Sequence, residues 1–169
     1  MKKQAIRRLV FAAMLASLVF VATWIAIPNG LGGNINLGDS MLLLGSWLLG
    51  GAWSIVACAL GASLTDLLGG YAMYSPGTFV IKALMGIAAI LVYRCTKKLP
   101  SLLRCVLSGL AAEAVMVVGY LVYEAAFLGL GVGALIGVPF NLLQAAASIL
   151  VATLLQILLR KARVDELLG

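Results

Sequence analysis

The sequence predicts an all-α membrane protein with six transmembrane helices and both termini in the cytosol, forming one domain over residues 1–169. Two observations carry this prediction. Hydrophobic residues make up 63% of the chain and charged residues only 11%, with a mean hydropathy of +1.12, a composition that a soluble domain of this length would not tolerate. The basic residues are also confined almost entirely to a few clusters, which is a topology signal.

The first predicted span covers residues 9–27, an apolar run of 19 residues without a charge. At about 1.5 Å per residue, such a helix can cross a hydrocarbon core of about 30 Å. A cleavable signal peptide is the competing interpretation. The run is longer than a usual signal core and further apolar runs follow it, so a transmembrane helix is favoured.

Hydrophobicity and chain breakers divide the rest into five further spans, at residues 39–49, 52–68, 78–93, 102–128 and 138–159. The Pro76-Gly77 pair predicts a turn before the fourth span, and Pro139 suits the first turn of the sixth. The second span is short for a bilayer, and a re-entrant hairpin is its alternative. A true span is preferred because it keeps all the basic clusters on one side.

The orientation follows from the lysines and arginines. All except Lys82 lie in three groups, at residues 2–8, 94–104 and 160–163. With six spans these groups share one face of the membrane, and the positive-inside rule makes that face cytosolic.

Polar residues within the apolar spans converge on the outer half of the predicted bundle. Because polar groups are costly in lipid, this convergence predicts a cavity that binds a small polar molecule from outside. Asn34 and Asn36, in the stretch "NINLGDS", are candidate ligand or loop-fixing groups, with turn formation as their alternative. The other candidates for substrate binding are Lys82, Glu113, Tyr120, Glu124, Asn141 and Gln144.

Three charged residues keep alternatives open. Lys82 either contacts the substrate or pairs with Glu113 or Glu124 inside the bundle. Asp39 is interpreted as the cap of the second span, and Asp66 as a hydrated residue near a helix end.

Motifs for catalysis are missing from the sequence. It has no Walker A motif, no GxSxG, no histidine, and no acid or cysteine cluster with metal-ligand spacing. We therefore predict no enzymatic activity, no metal and no cofactor. An integral-membrane enzyme or a stand-alone carrier is the alternative function.

Three motifs carry a family resemblance: "INLGDS" (residues 35–40), "GASLTDLLGGY" (61–71) and "SPGTFVIKALMG" (75–86). The chain resembles the substrate-binding S components of energy-coupling factor (ECF) transporters, in the riboflavin-transporter-like branch. The resemblance implies a bacterial plasma-membrane protein that binds a vitamin or related micronutrient beneath the loop between the first two spans. It also implies association with a membrane coupling subunit and two cytosolic ATPases.

The resemblance gives a role to the small residues of "AAMLA" in the first span. Ala12 and Ala16 stand where the family's small-residue motif meets the coupling subunit, although internal helix packing would be the default interpretation of such a stripe. Substrates suggested by this branch are riboflavin, the hydroxymethylpyrimidine precursor of thiamine, pyridoxine and queuosine-type bases. The polar residues suit a neutral or zwitterionic heterocycle and do not choose among these.

Overall fold

A computed structural model describes residues 2–28 and 34–162 of the chain. In this part the structure is helical apart from one small hairpin. The elements are α1 (Lys2–Trp24), β1 (Ala26–Pro28), β2 (Asn34–Asn36), α2 (Gly38–Leu48), α3 (Ala52–Leu68), α4 (Ser75–Cys95), α5 (Ser101–Val122), a π-helical turn (Tyr123–Phe127), a 3-10 helix (Gly131–Gly137) and α6 (Val138–Lys161).

Three helical segments in the described residues are long and apolar enough to cross a membrane. They are Ser75–Cys95, Ser101–Phe127 and Gly131–Lys161, and two shorter apolar helices, Leu9–Trp24 and Ala52–Leu68, accompany them. Large apolar side chains are exposed along the outer faces of these helices, as expected where a bundle meets lipid rather than water.

Helix α2 is short because it lies inside the bundle. Its 11 residues reach about 16 Å, well under a bilayer core. It contacts α1, α3, α4 and α6, and Leu42 and Leu43 are fully buried among them. The surrounding helices therefore shield α2 from lipid, and its bounds agree with the predicted second segment to within a residue or two.

Two local predictions were wrong in detail. The first span was predicted to run to residue 27, but α1 ends at Trp24, and β1 pairs with β2 as an antiparallel hairpin with Ile27 opposite Ile35; β-branched side chains favour extended pairing. Pro76 and Gly77 lie in the first turn of α4 rather than in a turn before it. Proline fits there because the first-turn amides of a helix have no intrahelical partner.

Helices α1 and α3 approach closely at one glycine. A Cβ atom on Gly61 would lie 2.4 Å from the carbonyl oxygen of Ala16, which is too close for any side chain. Glycine at this position therefore allows the two backbones to meet, in the manner of small-residue contacts between membrane helices.

The end of the bundle opposite the hairpin is closed by packed aromatic and basic side chains. The Trp47 indole stacks on Tyr93 and donates a hydrogen bond of 2.8 Å to Ser108 Oγ. The Arg104 guanidinium lies over the Tyr93 ring, 4.0 Å from its centre. Because these groups fill the space between α2, α4 and α5, an occupant of the bundle has its access at the hairpin end.

Candidate functional site

A cavity of about 330 Å³ opens at the hairpin end of the bundle. This volume suits a small-molecule ligand. Its walls come from α1, the hairpin, α3, α4, α5, the π-helical turn and α6. The lining residues are Thr23, Trp24, Ala26, Asn36, Ala62, Thr65, Asp66, Gly69, Tyr71, Tyr74, Thr78, Lys82, Tyr120, Glu124, Asn141 and Gln144.

Most of the residues predicted for substrate binding line this cavity. They are Asn36, Lys82, Tyr120, Glu124, Asn141 and Gln144. The structure thus brings together side chains from four separate segments of the chain. The Asn34 backbone belongs to β2, but its side chain lies outside the described residues.

Glu113 is not part of the lining. Its side chain is 2% exposed, and neither carboxyl oxygen has a hydrogen-bond partner among the described residues. Seven residues separate it from Tyr120 along α5, which places it about 10 Å deeper in the bundle. A spacing of seven residues places both side chains on the same face of α5, but the difference in depth puts Glu113 below the cavity.

Lys82 pairs with Asp39, and not with Glu113 or Glu124, which was one of the two alternatives that the sequence left open. Lys82 Nζ donates to Asp39 Oδ1 at 2.5 Å, and the two residues are 4% and 1% exposed. Asp39 is consequently not a helix cap: its carboxylate points into the bundle, where it neutralises the lysine. The pair joins α2 to α4 at the floor of the cavity, which Lys82 lines, and a buried charge requires such a partner.

Gln144 connects this ion pair to the hairpin. Its Nε2 donates to Asp39 Oδ2 at 2.7 Å, and its Oε1 accepts from the backbone N–H of Asn36 at 3.0 Å. The Asn36 side chain in turn accepts from the backbone N–H of Gly38 at 3.0 Å. Gln144 on α6 therefore fixes two groups, Asp39 at the floor of the cavity and Asn36 at its hairpin edge.

Gly38 is required by the tight contact beside this network. A Cβ atom there would lie 2.0 Å from Thr23 Oγ1 on α1. A side chain at this position would require Thr23 to change its rotamer or α1 to move away from the start of α2.

An aromatic and acidic wall faces the Lys82 side. Tyr74 Oη donates to Glu124 Oε1 at 3.4 Å, and Thr78 Oγ1 hydrogen-bonds Tyr120 Oη at 3.0 Å. Burial and then the neighbouring Glu124 carboxylate raise the pKa of Tyr74 to about 12, so its phenol keeps the proton that it donates. Glu124 lies in the π-helical turn Tyr123–Phe127, a rare geometry that is often found at functional sites.

Sequence reasoning missed part of the lining. Asp66, interpreted as a hydrated helix-end residue, lies in the cavity wall, as do Thr65 and Thr78. Two tyrosines of the α3–α4 connection, Tyr71 and Tyr74, were also not predicted. Four of these five residues, all except Tyr74, fall inside the family-like motifs "GASLTDLLGGY" and "SPGTFVIKALMG", which is the signal that could have found them.

The predicted partner-binding alanines face inward in the isolated chain. Ala12 is 7% exposed and belongs to the core, and Ala16 is half-buried beside Gly61 of α3. The small residues on the exposed face of α1 are Ala13 and Ser17, four residues apart. Ser17 Oγ donates to Ala13 O, which satisfies the hydroxyl without an outside partner.

The position of Glu113 makes a prediction about stability. Replacing Glu113 with methionine should raise the free energy of unfolding by about 1–3 kcal/mol, because an unpartnered buried polar group carries a desolvation cost of that size. The measurement is reversible unfolding in detergent, with Glu113→Gln as the control that keeps shape and polarity. A decrease of stability in the methionine variant would show that the carboxyl is well satisfied in the folded protein.

Comparison with known proteins identifies the family. The model of the family "ECF-type riboflavin transporter, S component" matches residues 3–161. The chain belongs to this family. It is accordingly a membrane transport component, an S component, and not an enzyme.

A solved structure described as the S component of a bacterial ECF transporter is similar in fold. The two chains superpose with a TM-score of 0.69 at 22% sequence identity, over 92% of this chain and 96% of the other. At this identity the likeness supports the shared fold of the S components. A comparison with curated proteins gives no match.

No group of three or more histidine, cysteine, aspartate or glutamate side chains that could hold a metal ion occurs within the described residues. The chemistry available in the cavity is hydrogen bonding, aromatic contact and charge. These are the interactions of a binding site.

Proposed function

We propose that this S component binds a heteroaromatic vitamin or related micronutrient in the hairpin-end cavity. The observation that carries the proposal is the convergence of aromatic rings with amide, hydroxyl and carboxyl groups around a cavity of about 330 Å³ in a chain of this family. Aromatic side chains bind flat rings, and the amide of Asn141 can recognise heteroatoms on a ring edge. Riboflavin is one candidate, since the family model carries its name.

In the proposed orientation the hairpin end faces outside the cell and both termini lie in the cytosol. Six spans, including the short central α2, then place every basic cluster of the sequence on the cytosolic side of a bacterial plasma membrane. The packed end formed by Trp47, Tyr93 and Arg104 faces the cytosol, so release of the substrate there requires a rearrangement. A coupling subunit and two ATPases would drive it, because the chain itself has no nucleotide-binding motif.

The decisive experiment is to identify a molecule retained by the purified protein. Mass spectrometry of denatured protein, followed by thermal-shift measurements with a vitamin panel, should give one compound that raises the melting temperature. Co-purification should also recover a second membrane subunit and two ATPases. A protein that no panel member stabilises, and that is isolated alone, would favour a stand-alone carrier of another substrate.

The coupling proposal makes a prediction about helix α1. We expect tryptophan at both Ala13 and Ser17 to lower the initial rate of uptake several-fold while substrate affinity is retained, because bulk on this exposed face prevents close helix approach. These positions, and not Ala12 and Ala16, provide the clean test, since tryptophan at the buried Ala12 would disrupt the core.

The matched control is Ala146→Trp, on the exposed side of α6. It adds the same bulk to a different lipid-facing surface and should leave uptake unchanged. Equal uptake by the wild type and the α1 double variant would exclude this face as the contact with the coupling subunit.

A further inference from the structure

The walls of the cavity carry uncompensated negative charge. Asp66 from α3 and Glu124 from the π-helical turn both line it. Within residues 2–28 and 34–162, neither carboxylate forms an ion pair. The lysine of the lining, Lys82, is already paired with Asp39 at the cavity floor. Counting this pair as neutral leaves two acidic groups facing the space that the ligand would occupy.

The same walls are rich in aromatic rings. Tyr71 and Tyr74 meet edge to face with their centres 6.5 Å apart, and Trp24 and Tyr120 complete the aromatic part of the lining. The π-face of a tyrosine or tryptophan ring attracts cations. The Lys82 ammonium already lies over the face of the Tyr120 ring, with Nζ 5.4 Å from the ring centre. The rings of Trp24, Tyr71 and Tyr74 remain for a ligand.

We propose that the ligand is a flat heteroaromatic molecule that carries a positive charge, as an ammonium group or a cationic ring nitrogen. This inference rests on the proposed function and specifies its substrate class. A cation would compensate one of the two negative charges and attract both carboxylates as the cavity excludes water, whereas an uncharged ring would leave Asp66 and Glu124 without any countercharge. The acidic pair thereby selects against neutral and anionic analogues of the same shape.

The carboxylates and the amides of the lining then bind different parts of the ligand. Glu124, held by the Tyr74 hydroxyl, and Asp66 bind the charged group. The amide of Asn141 and the Nδ2 group of Asn36, whose oxygen already accepts from Gly38, are available for the ring edge. The anionic group of a zwitterionic heterocycle would need the charge of Lys82, which is already compensated by Asp39.

A matched pair of vitamins tests the inference. Pyridoxamine and pyridoxine have the same ring, and pyridoxamine carries an ammonium group where pyridoxine carries a hydroxyl. Thiamine, a permanent cation, and riboflavin, a neutral ring system, extend the comparison. Isothermal titration of the purified full chain should give affinities at least about tenfold higher for the cationic member of a pair. Glu124→Gln and Asp66→Asn should each reduce this preference, and Glu113→Gln, a buried acid outside the lining, should keep it.

The outcomes separate this inference from the proposed function. Tighter binding of pyridoxine or riboflavin than of the cations would overturn the inference and leave a vitamin-binding subunit in place. The same conclusion follows if Glu124→Gln and Asp66→Asn, both correctly folded by circular dichroism, retain the full cation preference. If the protein binds none of these compounds and also fails to co-purify with a coupling subunit, both the inference and the proposed function are overturned.

Discussion

Replacing Lys82 with methionine is expected to lower the free energy of unfolding by about 3–5 kcal/mol, which is the usual cost of leaving a buried charge without its partner. Asp39 is 1% exposed, and Lys82 supplies its charge partner. In the variant, the carboxylate keeps only the hydrogen bond from Gln144. Unfolding in detergent, followed by far-UV circular dichroism, measures the loss.

A double variant separates lost pairing from lost packing. Asp39→Asn combined with Lys82→Met removes both charges and should recover most of the stability, because replacing a buried pair as a unit is often neutral. Lys97→Met, at an exposed position, is the control and should change stability by about 0.5 kcal/mol or less. A single Lys82 variant as stable as this control would show that the pair is dispensable.

Replacing Gln144 with leucine is expected to weaken ligand binding by about 2- to 10-fold. The leucine removes one hydrogen bond to the charged Asp39, which acts on stability, and one to the backbone N–H of Asn36, which holds the hairpin. A bond of the second kind contributes roughly 0.5–1.5 kcal/mol to the closed hairpin, and each 1.4 kcal/mol corresponds to a factor of ten. Because the second bond holds the hairpin over the cavity, most of the change should be a faster dissociation rate.

The control for this variant lies on the same helix. Gln156 is 2% exposed in α6 and does not line the cavity, so Gln156→Leu makes the same chemical change away from the hairpin. Dissociation should be unchanged in that variant. If both leucine variants released ligand at the wild-type rate, the hairpin would not be held by Gln144.

Much of the fold was predictable because hydrophobicity and breakers are local signals. The predicted ends of α3 agree with the structure, and those of α2, α4 and α6 agree to within a few residues. The hairpin was missed because three-residue strands leave little periodicity to detect. The π-helical turn at Tyr123 was missed because it continues a helical pattern and changes only the register.

The candidate site was predictable as a set of residues but not as a set of contacts. Polar residues in apolar helices are easily recognised in a sequence, because few are tolerated in lipid. Six of the eight candidate residues line one cavity in the structure. The partner of Lys82 was not predictable. Asp39 is 43 residues away at the start of another helix, where an acid is equally well explained as a cap.

The sequence by itself determined a helical membrane protein, its family, and the polar residues that a binding site would need. Composition, spacing and motifs are properties of the chain and require no knowledge of neighbours. Only the tertiary structure decided that Asp39 neutralises Lys82, that Asp66 faces the cavity, and that Ala13 and Ser17 rather than Ala12 and Ala16 face outward. The physical reason is that charge compensation and exposure depend on which helix faces pack together.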